Sequence, residues 1–537
     1  MKQEIAHYSS LIGGLGDWVR RPRIDHQAVL AAQMENREAA FLDLARRIVF
    51  SGSQHPYSEM FRIAGCAYGD LEDSVQRRGI DETLKQLLAA GVYVTHDEFK
   101  GKKPIVRAGR ELPAKSASFL NPLTRGRFVS SSGGSRSKGT VARASTEMQI
   151  YKEVYDDIEW REFGLDSRAL ILLRPLFPST TALFTSIRAA RMGHPAEKWF
   201  STPGQLGDTL HYRVVTRVAM QTTRWAGARV PMPTYLPAND FSPVARWIAE
   251  RKKEGKQCAV LSFVSPGVRV AAAALDENID ISGTLFMVGG EALTDAKQAR
   301  IEEAGCEAFP RYWINEVGPV GLACRHMRAG NSVHVCSDSV AIIPHLRRAP
   351  LSDLDVNSLL FTNLLPHATY FLINAEMDDS GILEPTTCDC EMSRAGLNLA
   401  VRNIFSFGKL TGQGMTLYGS DLVRILEVAL PQRFGGSPGD FQLVEQEGGG
   451  QTQMMLRVSP RVGAPDASDV RDFLLREIRR CFGGALAART WSHCEAITVE
   501  IKEPLATSIG KVLPLHLLGS HTATQTAARA ATHNHVA

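Results

Sequence analysis

The amino-acid sequence predicts an α/β protein. We expect a large multi-layer amino-terminal domain, built of parallel sheets with helices plus a β-rich subdomain, and then a small mobile α+β domain. Short β-rich runs alternate with amphipathic helices from about residue 128, which is typical of mostly parallel sheets. The stretch at about 333–385 is typical of strands joined by turns. After about residue 408, helices and strands form a compact unit of roughly 110 residues, large enough to fold alone.

The elements of the large domain are predicted from hydrophobic periodicity. The first hundred residues are helical, because segments such as HQAVLAAQMENREAAFLDLARRIVF repeat apolar residues at helical spacing. Predicted strands such as ALILLRPLF, QCAVLSFV and TLFMVGG then alternate with helices such as TTALFTSIRAARMG, RVAAAALDENI and DAKQARIEEAG. The runs VHVCSDSVAIIPHL and SLLFTNLL indicate the β-rich subdomain. We therefore expect residues 1–407 to form one domain.

A glycine-rich stretch from Gly408 to Gly419 is a candidate hinge between the domains. Beyond it the sequence predicts a helix (SDLVRILEVAL), a strand pair (FQLVEQEGGGQTQMMLRV), a second helix (ASDVRDFLLREIRRCF) and a strand (EAITVEIK). Residues 408–515 would therefore form a small mobile domain. Residues 516–537 are rich in Ala, Thr and His with little periodicity, so they predict a disordered tail.

Composition excludes several classes of protein. Of 537 residues, 44% are apolar and 22% charged, which is ordinary for a globular protein, and the net charge of +4 gives no footprint for nucleic acid. Nine cysteines are too few and odd in number for a secreted disulfide framework. The sequence shows no signal peptide and no run of 18 apolar residues. We expect a cytoplasmic protein that binds neither nucleic acid nor membrane.

The segment FVSSSGGSRSKGT, at 128–140, carries the sharpest local signal. A short β-type run opens into serines, glycines and basic residues, which together offer backbone N–H groups, hydroxyls and positive charge to a polyphosphate. It is not a Walker P-loop, because Thr140 occupies the position of the required lysine. The alternative is a flexible surface loop.

Three further segments extend this pattern: MVGGEALTDAKQARIEEAG (287–305), RYWINEVGPVGLA (311–323), and the pair DDSG (378–381) with EPLATSIGKVLP (503–514). With these motifs, in this order and spacing, the chain resembles the adenylate-forming superfamily of acyl- and aryl-CoA synthetases, and within it the phenylacetate-CoA ligase branch. The resemblance covers most of the chain. It implies an amino-terminal adenylation domain that binds ATP and a mobile carboxyl-terminal lid.

The resemblance also implies a role for each matching residue. The segment 131–140 matches the family's phosphate loop, which typically reads SSGTTGKP, although its glycine pattern is altered. Gly289, Gly290 and Glu291 match the GGE segment that lines the adenine pocket. The implied phosphate-binding residues are Ser131, Ser132, Gly133, Gly134 and Ser135.

The segment from Tyr312 to Glu316 matches the family's YGxSE motif. By resemblance, Tyr312 would pack on adenine, Asn315 would stand at the α-phosphate, and Glu316 would hold Mg²⁺. Asp379 matches the aspartate that accepts both ribose hydroxyls, a task that suits a carboxylate with two acceptor oxygens. Trp313 replaces the family's glycine beside the acyl pocket, so we expect a small or unusually placed carboxylic acid.

Lys511 matches the family's mobile lysine. Negative charge builds on the transferring oxygens when a carboxylate attacks the α-phosphorus, and a cation placed there stabilises the transition state. A lysine on a hinged domain can be withdrawn, so that one site serves two half-reactions. The alternative is an ordinary solvated lysine. Lys409 stands where relatives usually have arginine at the hinge, and Thr411 and Gly412 replace the hinge aspartates.

A cluster of thiols and one imidazole predicts a structural metal site, in which four protein ligands leave no open position for catalysis. The proposed ligands are Cys324, His334, Cys388 and Cys390. Thiolate and imidazole are the ligands that tetrahedral zinc prefers, and members of the phenylacetate-CoA ligase branch look similar here. His326 and Cys336 are rival ligands. Buried, inert thiols are the alternative to zinc, and a disulfide is disfavoured in a reducing compartment.

The resemblance therefore implies an AMP-forming acid–thiol ligase. Mg·ATP and a small carboxylic acid would give an acyl-adenylate and pyrophosphate, and the acyl group would pass to a thiol such as coenzyme A. A carrier-protein phosphopantetheine, an amine and a protein cysteine are alternative acceptors. A non-catalytic adenylate-binding protein of the same fold is the alternative from another class. Homodimers are common among relatives, although this sequence shows no interface.

Overall fold

The computed structural model describes most of the chain. The described residues are 12–52, 54–101, 103–124, 128–131, 141–176, 180–201, 210–237, 240–290, 292–327, 331–348, 355–406, 410–412, 415–417, 419–448, 451–481, 497–506, 512 and 514–518. Within these ranges, no helix combines the length and the apolar character needed to cross a membrane.

The helices confirm the predicted helical start and the helices of the later alternation. In chain order they are α1 (12–20), α2 (His26–Glu35), α3 (Arg37–Ile48), α4 (Pro56–Ile63), α5 (Tyr68–Arg78), α6 (Ile80–Ala89), α7 (His96–Phe99), α8 (Thr146–Phe163), α9 (Thr181–Arg191), α10 (Leu210–Trp225), α11 (Ser242–Lys253), α12 (Val264–Asp276), α13 (Asp295–Glu303), α14 (Glu391–Arg394), α15 (Gly419–Arg424), α16 (Leu430–Phe434) and α17 (Ala467–Arg480). A π-helical turn, Ile425–Ala429, joins α15 to α16.

The strands of the structure include those that the sequence predicts. They are β1 (Ile105–Arg107), β2 (Arg110–Leu112), β3 (Phe128–Ser131), β4 (Val141–Ala144), β5 (Ala169–Leu173), β6 (Lys198–Ser201), β7 (Pro233–Tyr235), β8 (Cys258–Phe263), β9 (Leu285–Gly289), β10 (Glu307–Ile314), β11 (Gly318–Leu322), β12 (Val333–Val335), β13 (Val340–Arg348), β14 (Asp355–Asn363), β15 (Ala375–Pro385), β16 (Leu399–Ser406), β17 (Leu410–Gly412), β18 (Met415–Leu417), β19 (Phe441–Gly448), β20 (Gln451–Val458), β21 (Ile497–Ile501) and β22 (Leu515–Leu518).

One large sheet dominates the amino-terminal domain. Twelve strands lie in the order β13-β14-β15-β16-β12-β11-β10-β9-β8-β5-β6-β7. Neighbours from β7 to β10 are parallel, and neighbours from β10 to β13 are antiparallel. The predicted β-rich subdomain is therefore the antiparallel half of one continuous sheet, because β11 pairs with the last parallel strand and with β12.

The parallel half is buried on both faces. Side chains of β5 alternate between two cores: Leu170 and Leu172 pack in one, and Ile171 and Leu173 pack in the other. Successive side chains of a strand point to opposite faces, so two buried faces require an unbroken apolar run. This is why the predicted apolar segments are strands of this half.

The amino-terminal helices cover the antiparallel half. Residues of α3 to α6 share a core with β13, β14 and β15. The Tyr57 hydroxyl donates to the Ile373 carbonyl at 2.6 Å and accepts from the Ile373 N–H at 2.9 Å. The predicted helical entry is thus packed into the large domain.

The carboxyl-terminal region has its own sheet and core. Strands β21-β20-β19-β22 form the sheet, and the helices from α15 to α17 bury their apolar residues against it. The structure corrects the predicted start of the tail, because residues 516–518 belong to β22, which pairs with β19 in parallel. Leu515 packs on the small core, so the strand pattern continues past the predicted end.

A buried carboxylate takes part in the contact between the two regions. Glu427, in the π-helical turn, lies 2.6 Å from the Lys297 ammonium of α13 and accepts a 2.5 Å hydrogen bond from Thr294. Both charged side chains are almost fully buried, at 4% and 2% exposure. The α/β fold class with a large mixed sheet and a small separate sheet is confirmed. The predicted boundary at residues 407 and 408 lies outside the described residues and stays a prediction.

Candidate active site and metal centre

The carboxyl ends of β9 and β10 bring two predicted motifs together. Gly289 pairs with Arg311 in parallel register, and a Cβ added to Gly289 would lie 2.6 Å from the Arg311 carbonyl oxygen. Only glycine fits this contact. Gly290 then has φ +77°, a left-handed conformation that glycine adopts without strain, and turns the chain out of the sheet. The first two residues of the GGE segment are thus required by the local backbone.

Tyr312 and Asp379 meet across the sheet, although 67 residues separate them. The Tyr312 hydroxyl donates to Oδ2 of Asp379 at 2.7 Å. Burial, together with the neighbouring Asp379 charge, raises the pKa of Tyr312 well above its usual value. Tyr312 is therefore a neutral donor that fixes the orientation of the carboxylate.

Glu316 lies in the turn after β10 and is 8% exposed, whereas Asn315 in the same turn is exposed. Oε1 of Glu316 accepts from the Lys100 ammonium at 2.8 Å. Sequence reasoning missed Lys100, since a single lysine 216 residues away gives no local signal. Mg²⁺ is usually bound by one or two carboxylates together with substrate phosphates, so this donor fits the ion, which would share the carboxylate with Lys100.

Several predicted site residues cannot be placed. Strands β3 and β4 form an antiparallel hairpin whose last described pair is Ser131 with Val141. The predicted residues outside the described ranges are Ser132, Gly133, Gly134, Ser135, Glu291, Lys409 and Lys511.

The residues around Lys511 are tied to the small sheet. Ala506 and Val512 pair in an antiparallel bridge. The buried Gln442 side chain donates to the Leu505 carbonyl at 2.9 Å and accepts from the Leu505 N–H at 2.6 Å. Sequence reasoning missed this anchor, because a lone glutamine in a strand carries no signal for such a role.

Trp313 lies beside helix α8. Its ring is 6.4 Å from the Tyr155 ring in an edge-to-face arrangement, and the Arg311 guanidinium lies 5.1 Å from its centroid. The β10–β11 register shifts between Tyr312 and Trp313, so the backbone is irregular where the tryptophan replaces glycine. The indole is thus held in place by packing.

Asn374, directly before β15, has a structural role. Its backbone has φ +48°, which asparagine tolerates better than most residues. Its side-chain amide donates to the carbonyls of Leu84 and Val92, at 2.8 and 3.2 Å. Asn374 therefore fastens α6 and the following turn to the sheet.

The predicted metal ligands converge. One ligand atom each from Cys324, His334, Cys388 and Cys390 lies within 4.8 Å of all the others. Nε2 of His334 is 3.3–3.4 Å from the three sulfurs, and the Cys324 and Cys388 sulfurs are 3.8 Å apart. A tetrahedron with zinc bond lengths has edges of about 3.5 Å between nitrogen and sulfur and about 3.8 Å between sulfurs. The Cys388 and Cys390 sulfurs are 2.9 Å apart, which is shorter than such an edge, so they would have to separate around the ion. The donor set and the other four distances fit zinc.

The second ring nitrogen of His334 sets its tautomer. Nδ1 lies 2.8 Å from the Leu397 carbonyl oxygen, which can only accept, so Nδ1 carries the proton. The lone pair of Nε2 then faces the three sulfurs. Metal-binding histidines commonly have such a partner on the other nitrogen.

The structure separates the rival ligands from the cluster. The His326 ring nitrogen lies 3.1 Å from the Asp389 carbonyl oxygen. Cys336 is fully buried, but neither residue belongs to the group of ligand atoms found among the described residues. Spacing alone could not decide this, because His334 and Cys336 are two positions apart and share one strand direction.

No protein-family model and no curated protein matches the chain. Solved structures do match its fold. A 2-hydroxyisobutyryl-CoA ligase in complex with 2-HIB-AMP and CoA is 14% identical, with a TM-score of 0.45, over 92% of this chain and 93% of that one. ATP-bound MatB from Rhodopseudomonas palustris is 13% identical, with a TM-score of 0.42, over 74% and 68%. An anthranilate CoA ligase in complex with anthranoyl-AMP is 10% identical, with a TM-score of 0.41, over 89% and 81%.

At these identities and scores, the likenesses carry no argument for a shared activity. Two of these three proteins are acid–CoA ligases by name, the kind of protein that the sequence motifs resemble. None of them singles out the phenylacetate-CoA ligase branch. The function of this chain must therefore be inferred from its own residues.

Proposed function

We propose that this protein is an AMP-forming acid–thiol ligase of the adenylate-forming superfamily. It would activate a carboxylic acid with ATP and pass the acyl group to a thiol such as coenzyme A. The observation that carries the proposal is the meeting of separate motifs at one edge of the sheet. Gly289 lies beside Arg311, and Tyr312 binds Asp379. The carboxyl ends of parallel strands are where α/β proteins bind their ligands.

Three residues would hold the adenosine. The Tyr312 ring offers a face on which adenine can stack, and its hydroxyl orients Asp379 at 2.7 Å. Asp379 would accept the ribose hydroxyls. Gly290, in its left-handed turn, keeps side-chain bulk away from the base. The serines and glycines of 131–135 would bind the phosphates through backbone N–H groups and hydroxyls.

In the first half-reaction, a carboxylate oxygen of the acid attacks the α-phosphorus of ATP. The bond from that phosphorus to the bridging oxygen breaks, and pyrophosphate leaves. Mg²⁺, held by Glu316 and the phosphates, would neutralise part of the phosphate charge. Lys511 would stabilise the charge that builds on the transferring oxygens. Asn315 would donate to the α-phosphate.

In the second half-reaction, a thiol sulfur attacks the acyl carbon, the acyl–oxygen bond breaks, and AMP leaves as the thiol proton passes to solvent. Lys511 must leave the site to admit the thiol, which a hinge near Lys409 would permit. Coenzyme A is the proposed acceptor. A carrier-protein phosphopantetheine, an amine or a protein cysteine would use the same first half-reaction.

The Lys511→Ala variant tests the adenylation step. We expect acid-dependent ATP–pyrophosphate exchange to fall by about 100-fold or more, because one preorganised charge at a developing anion contributes on that order. AMP binding, measured by calorimetry, should be retained. The matched control is Lys502→Ala, since Lys502 is exposed in the same domain and pairs with Glu500 at 3.0 Å.

Wild-type exchange in Lys511→Ala would contradict the assignment of the lysine. If the wild-type protein binds AMP but supports no exchange with any acid of a broad panel, the chain is a non-catalytic adenylate-binding protein. Adding coenzyme A to an active exchange mixture and measuring thioester formation identifies or excludes that acceptor.

We also propose that Cys324, His334, Cys388 and Cys390 bind a structural zinc ion. The spacing of the ligand atoms and the fixed tautomer of His334 support it. Metal analysis of protein purified without a histidine tag should give about one zinc per chain. A content near zero contradicts the proposal and favours inert buried thiols.

A further inference from the structure

Lys152 on α8 stands beside Trp313 without an acidic partner. Its Nζ lies 5.3 Å from the centroid of the Trp313 ring, and its side chain is partly accessible. Within the part of the chain that the structure describes, Lys152 forms no hydrogen bond and no ion pair. Lysine side chains held at such depth are normally paired.

The nearby carboxylates are already bound by arginines. The Asp156 carboxylate oxygens lie 2.6 Å from Nε of Arg188 and 2.5 Å from Nη2 of Arg311. Glu159 lies 3.0 Å from the same Arg311. With Lys152 and the buried Arg174, four cationic groups face two carboxylates in this cluster. Among the described residues the cluster therefore has more cations than anions. Arg174 also lacks an ion pair, but it donates to the Ser262 carbonyl at 3.1 Å, so Lys152 is the cation with neither an anion nor a hydrogen-bond acceptor.

A second hydrogen-bond donor beside Lys152 also lacks a partner among the described residues. Nε1 of Trp313 is buried and has no hydrogen-bond acceptor among the described residues. Burial, with the neighbouring Arg188, lowers the pKa of Lys152 to about 7. An anion beside Lys152 would accept a hydrogen bond from the indole N–H. It would also favour the charged ammonium and so raise the pKa of Lys152 again.

The position of these two donors relates them to the proposed site. Trp313 directly follows Tyr312 in β10, so the two side chains lie on opposite faces of the strand: Tyr312 is on the side that would carry the adenine, and Trp313, like Arg311, faces α8. Helix α8 is the helix that follows the β3–β4 hairpin, whose connection would bind the phosphates. In the proposed complex the acid would extend from the α-phosphate to the α8 side of β10, so that Lys152 and Trp313 would face its far end.

We propose that Lys152 and the indole N–H of Trp313 bind a second carboxylate of the substrate, so that the enzyme activates a short dicarboxylic acid. The inference depends on the proposed function. A carboxylate has two acceptor oxygens, one for each donor. The packing of Tyr155 against Trp313 closes the space behind them, which favours a short chain. One carboxylate reacts at the α-phosphorus, and the other remains on Lys152.

The test compares acids of equal length in ATP–pyrophosphate exchange: succinate with butyrate, and glutarate with valerate. We expect the wild-type protein to favour the diacids. Lys152→Met should lower kcat/KM for the diacids by about 10- to 100-fold, mainly through KM, because it removes a charge-assisted hydrogen bond. For the monoacids, kcat/KM should change by less than about 3-fold, because a monoacid has no second carboxylate to bind Lys152. Lys152→Arg should restore part of the diacid activity.

Control measurements separate the outcomes. Lys85→Met, which alters an exposed lysine on α6, should change neither class of acid, and thermal unfolding checks that each variant is folded. Equal loss with both classes of acid would mean that Lys152 holds the reacting carboxylate and would overturn the inference. An unchanged diacid preference in Lys152→Met would also overturn it.

Two further outcomes distinguish failure of the proposed function from failure of the diacid inference. If only monoacids support exchange, the ligase proposal stands and the diacid inference is overturned. If no acid supports exchange, the ligase proposal fails, and calorimetric binding of succinate decides the inference. Binding that is lost in Lys152→Met supports the second-carboxylate site, and absence of binding to the wild-type protein overturns it.

Discussion

His26 shows how a single half-buried side chain joins the amino-terminal helices to α8. It is the first residue of α2, and its Nδ1 lies 3.2 Å from Asp157 and its Nε2 3.9 Å from Glu153, both on α8. Burial lowers the pKa of His26, but the two carboxylates together raise it to about 9. The imidazole is therefore charged at neutral pH, even though Arg161 and Arg191 bind the same carboxylates.

The pH dependence of stability tests this charge. The folded pKa of about 9 is above the usual 6.5, so the contribution is fully present below pH 6.5 and is lost as the pH rises through 9. We expect His26→Gln to cost on the order of 2–3 kcal/mol of unfolding free energy at pH 6 and much less at pH 9.5. Chemical denaturation at both values measures it. The control is His194→Gln, an exposed histidine, and an equal loss at both pH values would contradict the charged state.

At the scale of elements, the cysteine–histidine cluster joins parts of the sheet that are far apart in the chain. Cys324 follows β11 and His334 lies in β12, whereas Cys388 and Cys390 come between β15 and α14. The Cys390 sulfur also accepts from the Ser393 N–H at 3.3 Å, as the cap of α14. A bound metal would therefore clamp a loop and a short helix onto the middle of the antiparallel half.

Loss of the metal should loosen this clamp. We expect Cys388→Ser to lose zinc and about 3 kcal/mol or more of stability, since loss of a metal ligand is among the largest single-residue effects. Zinc content and thermal unfolding measure this. Cys66→Ser, at a half-buried position away from the cluster, should leave the zinc content and the unfolding temperature unchanged. The clamp is contradicted if a chelator strips zinc from the wild-type protein without lowering its unfolding temperature.

The elements themselves were largely predictable, and their pairing was not. Apolar runs such as β5 and β8 are typical of strands buried on both faces, so local sequence was sufficient to predict them. The continuation of the parallel half into the antiparallel half depends on β10 pairing with β11 through a shifted register. Such register arises from packing between distant segments, which periodicity along one segment does not record.

The same limit applies to the candidate site. Gly289, Tyr312 and Asp379 were predicted because each belongs to a local motif. Lys100 and Gln442 were missed because their partners lie 216 and 63 residues away and neither has a motif around it. The structural role of Asn374 likewise depends on hydrogen bonds to two carbonyls of a distant segment.

At the scale of the whole molecule, Glu427 fixes how the small domain sits on the large one. It is the carboxylate that Lys297 and Thr294 bind across the boundary. Removing one partner of a buried ion pair leaves an uncompensated charge, which costs about 3–5 kcal/mol. A rotation of the small domain would have to separate this pair and hydrate both charges.

We expect Glu427→Gln to release the small domain, because the buried Lys297 would lose its 2.6 Å ion pair with Glu427. The radius of gyration from solution X-ray scattering should increase, and the thermal unfolding temperature should fall. The matched control is Glu500→Gln, which alters an exposed ion pair of the same domain and should leave both unchanged. Unchanged scattering in Glu427→Gln would show that the contact does not hold the domains together.

The long separation between the amino-terminal helices and their core has a consequence for biosynthesis. Tyr57 finds its partner, Ile373, only 316 residues further along the chain. At a synthesis rate of about 5–20 residues per second, the helices wait roughly 15–60 s on the ribosome before that strand region emerges. During that time their apolar faces have no sheet to cover them. We therefore expect the nascent amino-terminal segment to need chaperone protection.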